Sequence, residues 1–377
     1  MRRTMQVILF VFVGLMVFAS APALAQKSKA SPLLTRLIED ARKEGTLDLT
    51  ITSSQGEKGA RELTDAFKRR FGLDIKMNFD LSGQESQKFN QAIAETKSKI
   101  PPTFDLLEGT AENVLLLKEA GGAELIDNWE PLLAEMAPEA HKVKDQVGPT
   151  VLSGYGFLRG TRSVVLLYNP KILPEQDIPR TWKEMGNPKY AGAFSVPPWV
   201  SHAVMGIMVY DKKEWLDIVR GWGRNKRDVL TYSAGVDRML LGDLKFLYAN
   251  DHYYYEQRAR DANAPIEISY FEDITPSSEV MYVMRRGARH ANAAKLFTLW
   301  ATSSEANLLY EKYAFHPNLV LGTGPISKKT AQLLKARNIK QKGWFDNAQN
   351  LEMFLWLKSE EGRKYQQALA EAHRTGK

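Results

Sequence analysis

Residues 46–79 read TLDLTITSSQGEKGARELTDAFKRRFGLDIKMNF. Thr46 to Thr52 alternates apolar and polar side chains with period two, the pattern of a half-buried strand. Ser53-Ser54-Gln55-Gly56 interrupts it as a loop. Ala60, Leu63, Phe67 and Phe71 then share one helical face, and Gly72 stops that helix. Ile75, Met77 and Phe79 alternate again. A strand, a helix and a strand in so short a span call for a parallel pair, so the class is α/β.

The pattern extends in both directions. Upstream, Leu34, Leu37, Ile38 and Ala41 predict a helix that ends at Gly45. Downstream come a helix around Phe89, Ala92 and Ile93, a strand at Phe104–Leu107, and a helix from Ala111 to Ala120 stopped by Gly121-Gly122. From Asp127 to Gly148 the alternation breaks down and Pro, Glu and Lys rise, which reads as a crossover between lobes. Ser163–Tyr168 is a fresh strand. Ile266–Phe271 is another. Ala288–Trp300 and Ser304–Tyr313 read as helices, and the tail from Leu351 to Ala372 is helical. A chain of 377 residues is long enough for two lobes, each with its own core.

The amino end has a different character. Arg2 and Arg3 precede an uncharged apolar run from Val7 to Ala19, and Ala23-Leu24-Ala25 is a small-x-small site before Gln26. This is the layout of an export signal cleaved after Ala25. The run is shorter than the roughly 20 residues a spanning helix needs. Loss of this segment removes two of the positive charges from a net +7. The remaining basic residues are interleaved with acids, so the chain lacks the concentrated basic face of a nucleic-acid binder. It has no cysteine, which excludes disulfides, thiolate metal sites and a Cys nucleophile.

Enzyme signatures are missing. There is no G-x-x-x-x-G-K-[ST] loop, no G-x-G-x-x-G and no G-x-S-x-G elbow. Of the six histidines, no two stand four apart as a helical zinc pair would.

Pro179 to Phe194, PRTWKEMGNPKYAGAF, is the most specific stretch. Locally it is a helix–turn–strand corner, with Thr181 and Glu184 at capping-box spacing and Asn187-Pro188 as a breaker. It resembles the P-x-[ST]-W-x-[DE] signature of solute-binding proteins that serve ABC importers for ferric iron, thiamine and polyamines. Four further elements follow that family in order: Ala66-Phe67 with Phe71 to Ile75, Leu167-Tyr168-Asn169, Gly242-Asp243 ahead of Asn250 to Tyr255, and Gly287 to Phe297. The resemblance implies a two-lobe type II periplasmic-binding fold, with hinge strands and an interlobe ligand cleft. By that layout residues 31–129 plus 279–377 form lobe 1 and residues 130–278 form lobe 2. A periplasmic monomer is expected, with a small-molecule solute and an ABC permease and ATPase as partners.

Candidate ligand groups follow from topology and from the resemblance. Ser53, Ser54, Gln55 and Gly56 lie between the first strand and its helix, where α/β folds place binding crevices. Ser54 alternatively caps the helix. Glu108 and Thr110 hold the equivalent place after the third strand. The resemblance implies an anion-contacting role for Arg162 and Ser163, six and five positions before Tyr168. It likewise points to Trp199 and Ser201 beyond the signature strand, and to Thr275 at the return crossover. Ferric-binding members place two consecutive tyrosines in the Asn250–Tyr255 run. One register puts His252 and Tyr253 there; a one-residue slip puts Tyr253 and Tyr254 there as the metal ligands. Phenolate oxygen suits Fe³⁺ because binding drives off its proton. The first loop has Gly56 where many ferric members carry His, which weakens iron as the ligand. The solute is then an organic or phosphorylated anion, or Fe³⁺ with a synergistic anion, and no cofactor is expected otherwise. The alternatives are an exported enzyme on the same fold and a periplasmic sensor subunit.

Overall fold

The computed structural model describes residues 30–146, 150–250 and 252–377. The expected signal segment and the side chain of His252 lie outside the described residues.

From the amino end the chain forms α1 (Pro32–Glu44), β1 (Thr46–Thr50), α2 (Gly56–Phe71), β2 (Lys76–Asp80), α3 (Glu85–Lys97), β3 (Leu106–Thr110) and α4 (Ala111–Glu119). Ser31 caps α1 by accepting from the Leu34 amide, and Gly45 ends it in the left-handed region at φ 70°. The β-α-β reading holds: β1 pairs in parallel with both β2 and β3. Next come α5 (Trp129–Met136), α6 (Pro138–Lys142) and β4 (Gly156–Ser163), then β5 (Val165–Tyr168), β6 (Phe194–Val196), α7 (Lys212–Asn225), β7 (Asp228–Val229), α8 (Tyr232–Leu240), β8 (Phe246–Ala249), α9 (His252–Asp261) and β9 (Glu267–Ser269). The ten-residue β10 (Thr275–Met284) leads to α10 (Ala291–Trp300), α11 (Ser304–Ala314), α12 (Pro325–Ala336), β11 (Gln341–Lys342), α13 (Ala348–Trp356) and α14 (Glu360–Thr375).

Two sheets organise these elements. The first runs β11-β10-β3-β1-β2, with β4 also antiparallel to β10. The second runs β7-β6-β8-β5-β9. One apolar cluster packs one face of the first sheet, and a second packs its other face and continues into the second sheet. In lobe 1, Phe67, Phe297 and Trp300 meet edge-on or tilted with ring centroids 5.0–5.6 Å apart. In lobe 2, Trp182 is the hub: its ring meets Trp222 at 5.1 Å, Tyr248 at 5.0 Å and Phe271 at 4.4 Å. Its indole N–H donates to the Ile274 carbonyl at 2.7 Å. The apolar residues of the signature stretch, Trp182, Met185, Tyr190 and Phe194, are therefore core, and Trp182 braces the segment that leads into the return strand.

The lobe boundaries differ from the sequence expectation in two ways. Residues 129–142 are not a crossover: α5 and α6 bury Leu132, Leu133, Met136 and Ala140 in the lobe 1 core. The chain changes sheets at Val164, between β4 and β5, and Val164 N–H donates to the Pro276 carbonyl of the returning strand at 2.8 Å. The second correction concerns the carboxyl end. Trp344, Phe354, Leu369 and Ala372 are buried in the lobe 2 core, so the chain crosses a third time. α14 lies so close to α7 that a Cβ on Gly223 would stand 2.0 Å from the Ala372 carbonyl, which only glycine permits.

Candidate functional site: the interlobe cleft

The C-terminal ends of the parallel strands in both sheets face one another across a solvent-open groove of about 860 Å³. Lobe 1 contributes Thr52, Ser53, Glu85 and Thr110 from the ends of β1, β2 and β3. Lobe 2 contributes Trp199, Ser201, His202, Tyr232 and Asn250 from the ends of β6, β7 and β8. Arg162 and Ser278 of the crossing strands join the two walls.

The lobe 2 wall is aromatic. Trp199 and Tyr232 meet edge to face with centroids 5.1 Å apart. The Tyr232 hydroxyl accepts from the Trp199 indole N–H at 3.4 Å and lies 2.7 Å from His202 Nδ1. Such a wall offers an apolar face with polar tips.

The lobe 1 wall is held from beneath by a buried network. Glu108 on β3 is paired with the fully buried Arg159 guanidinium of β4. Its other oxygen accepts from the Thr52 amide at 3.0 Å and the Tyr282 hydroxyl at 3.1 Å. Arg159 also lies 2.8 Å from His316 Nδ1. A guanidinium only donates, so Nδ1 accepts and the proton of the neutral ring is on Nε2, 3.1 Å from Ser54 Oγ. Burial, with neighbouring Tyr310 and Glu108, pushes the Tyr282 phenol well above its ordinary value, so it stays a donor. This network fixes the first loop while placing no free charge in the groove.

A second group lies near the crossing strands. Glu112, in the first turn of α4, accepts from Ser278 Oγ at 3.3 Å, and burial pushes its carboxyl up. Glu279 on β10 is pushed up to about 7 by burial and by the charge of Glu112. Lys358 lines the carboxyl-end side of the groove with Trp344 and Phe354; burial holds its ammonium below the ordinary lysine value.

The structure brings Ser53, Glu108, Thr110, Arg162, Trp199 and Ser201 together in the groove. The other candidates are placed elsewhere. Ser54 is bonded to His316. Gln55 is buried and donates to the Gly59 and Leu309 carbonyls, so it pins α2 to α11. Gly56 is exposed at the start of α2 with φ 63°. Ser163 accepts from Gln341 beneath the crossing. Thr275 is fully buried and its hydroxyl donates to the Phe271 carbonyl at 2.9 Å. Tyr253 is buried with its hydroxyl 2.7 Å from Thr330 Oγ1. Tyr254 packs its ring on Tyr255, centroids 5.4 Å apart, and it is Tyr255 that lines the groove. The metal-ligand pair expected at Tyr253 and Tyr254 is therefore not the part of the run that faces the groove. Sequence reasoning missed Glu85 and Tyr232. Both follow short strands, β2 and β7, and the rule applied to the first and third strands would have found them.

Comparison with known proteins agrees with this geometry. The family described as "Bacterial extracellular solute-binding protein" matches residues 117–350. The "Major ferric iron-binding protein" of Neisseria meningitidis serogroup B is 22% identical over 311 residues, 78% of this chain and 89% of that protein. The solved structure of iron-bound HitA from Pseudomonas aeruginosa matches with TM-score 0.58 and 17% identity, over 78% of this chain and 99% of that one. The spermidine/putrescine substrate-binding protein PotD from Streptococcus pneumoniae matches with TM-score 0.65 and 11% identity, over 88% of this chain and 99% of that one. The chain belongs to the bacterial extracellular solute-binding proteins, and its two lobes form the type II periplasmic-binding fold.

Proposed function

We propose that this chain is the periplasmic receptor of an ABC importer, that it is exported by cleavage after Ala25, and that as a monomer it captures a small organic or phosphorylated anion and delivers it to a membrane permease and its ATPase. The observation that supports the anion class is Arg162: it reaches the groove opposite the Trp199–Tyr232 wall, so a carboxylate or phosphate on Arg162 brings its organic body against the rings. Hinge closure then follows from differential contact. A solute touching both walls stabilises the closed form over the open one by those added contacts. Val164, residues 270–274 and residues 343–347 after β11 are the segments that cross between the lobes and would flex. The chain itself carries no nucleotide-binding loop, so the partner ATPase supplies the energy, and we expect no turnover of the solute.

The test is calorimetric titration of a panel of carboxylates and phosphate esters into the purified protein. One or more should bind with a one-to-one stoichiometry, and Arg162→Met and Tyr232→Ala should each weaken it by about tenfold or more, a loss of 1.4 kcal/mol. Binding unaffected by either substitution would overturn the reading. A second reading, Fe³⁺ as cargo with a synergistic anion, is favoured by Tyr232 and Tyr255 both lining the groove. It predicts a tyrosinate charge-transfer band in a ferric titration, lost in Tyr232→Phe or Tyr255→Phe.

A further inference from the structure

We propose that Glu85 is a resident stand-in for the anionic group of the solute, and that its carboxylate must be displaced before an anion can bind. This rests on the reading of the cleft as the solute site. Glu85 is the first residue of α3, and its carboxylate reaches across to donors that belong to other elements. Oε1 accepts from the Thr110 amide at 2.7 Å and from Asn113 Nδ2 at 2.8 Å, at the start of α4. Oε2 accepts from Arg162 Nη1 at 3.2 Å. A backbone amide at a helix start, a side-chain amide and a guanidinium converging on one group make a donor set for carboxylate or phosphate. Here the group that occupies it comes from the chain.

Two features make this occupant displaceable. The Glu85 and Arg162 side chains are 24% and 14% exposed and both line the groove, so an incoming anion reaches them without unfolding anything. The loop that delivers Glu85 is also strained. Gly83 has φ 81°, and Gln84, a non-glycine residue, has φ 22°. A non-glycine residue held in that region carries backbone strain. The α3 start receives no side-chain cap to offset it.

The consequence is a threshold. A small inorganic anion gains little more from the donors than Glu85 already does, so it competes poorly. A solute that also packs on Trp199 and Tyr232 gains contacts that Glu85 cannot make. Glu85 thus selects for organic anions over the bulk inorganic ones.

The experiment is calorimetric titration of inorganic phosphate and of citrate into the native protein, Glu85→Ala, Glu85→Gln and the double variant Glu85→Ala/Arg162→Met, with thermal melts to report folding. Emptying the subsite should raise affinity for at least one of these anions by roughly tenfold or more, because the occupied state no longer discounts binding. The Arg162→Met change should cancel the gain. Folded Glu85→Ala or Glu85→Gln protein that binds both anions no more tightly than native overturns the inference. So does loss of spermidine binding in these variants, which would make Glu85 a direct ligand for a cation. If Tyr232→Ala weakens capture from the solute panel while the Glu85 variants change nothing, this inference alone fails; if neither matters, the cleft reading fails with it.

Discussion

The hydroxyls of Tyr253 and Thr330 lie 2.7 Å apart, joining α9 to α12 away from the groove. The tyrosine that the sequence made most suggestive of metal binding is thus a packing residue. Tyr253→Phe should cost about 1 kcal/mol of stability in urea melts, the net worth of one buried hydrogen bond. It should leave solute binding unchanged. A ferric titration whose visible band vanishes in Tyr253→Phe would contradict this placement.

Arg159 and Glu108 are both buried and paired. Removing one partner strands a charge in a low-dielectric interior, so Arg159→Met should destabilise the protein by about 3–5 kcal/mol. Arg159→Met combined with Glu108→Leu should recover much of the loss. The check is a double-mutant cycle by denaturant unfolding. Additive losses would mean that the pair does not hold the first loop as a unit.

His373 on α14 lies 2.7 Å from the Tyr248 hydroxyl, and burial, with the charge of Lys226, lowers its imidazole to about 4. The unfolded chain takes up this proton near pH 6.5 and the folded one only near 4. Stability from this group is therefore complete above pH 6.5 and is lost as pH falls toward 4, up to about 3 kcal/mol. His373→Gln should flatten the acid side of the stability–pH curve. An unchanged slope between pH 6.5 and 4 would refute the placement.

Glu279 has the opposite sign. Its folded carboxyl titrates at about 7, above the ordinary 4.5. Between those values the folded state holds a proton that the unfolded state has lost, so stability falls as pH rises through the window. Glu279→Gln should be more stable than native at pH 8 by about 2–3 kcal/mol and no different at pH 4. Thermal melts at the two pH values read this directly.

The β-α-β start was legible because each strand's alternation reflects burial against a neighbour close in sequence. The lobe boundary was not. β4 and β5 are separated only by Val164, and the apolar pattern through Gly156–Tyr168 does not say which sheet each half joins. α14 shows an apolar face at helical spacing, but nothing in that face names α7 as its partner, more than a hundred residues away. The groove was partly legible for a topological reason: Ser53, Thr110 and Ser201 sit at or just after strand ends. The tyrosine run was not, because consecutive helical residues point about 100° apart and only a structure fixes which one faces the groove.

The third crossing bears on how the molecule is made. Tyr248 finds His373 across 125 residues, and Leu369 and Ala372 join the same buried cluster as Val165 and Tyr248. Neither half of the molecule is a contiguous stretch of chain. An excised middle segment would present an open apolar face where α14 belongs, and a product ending early would aggregate instead of keeping one good half. The core around Tyr248 is complete only once α14 has been made and has crossed back to α7.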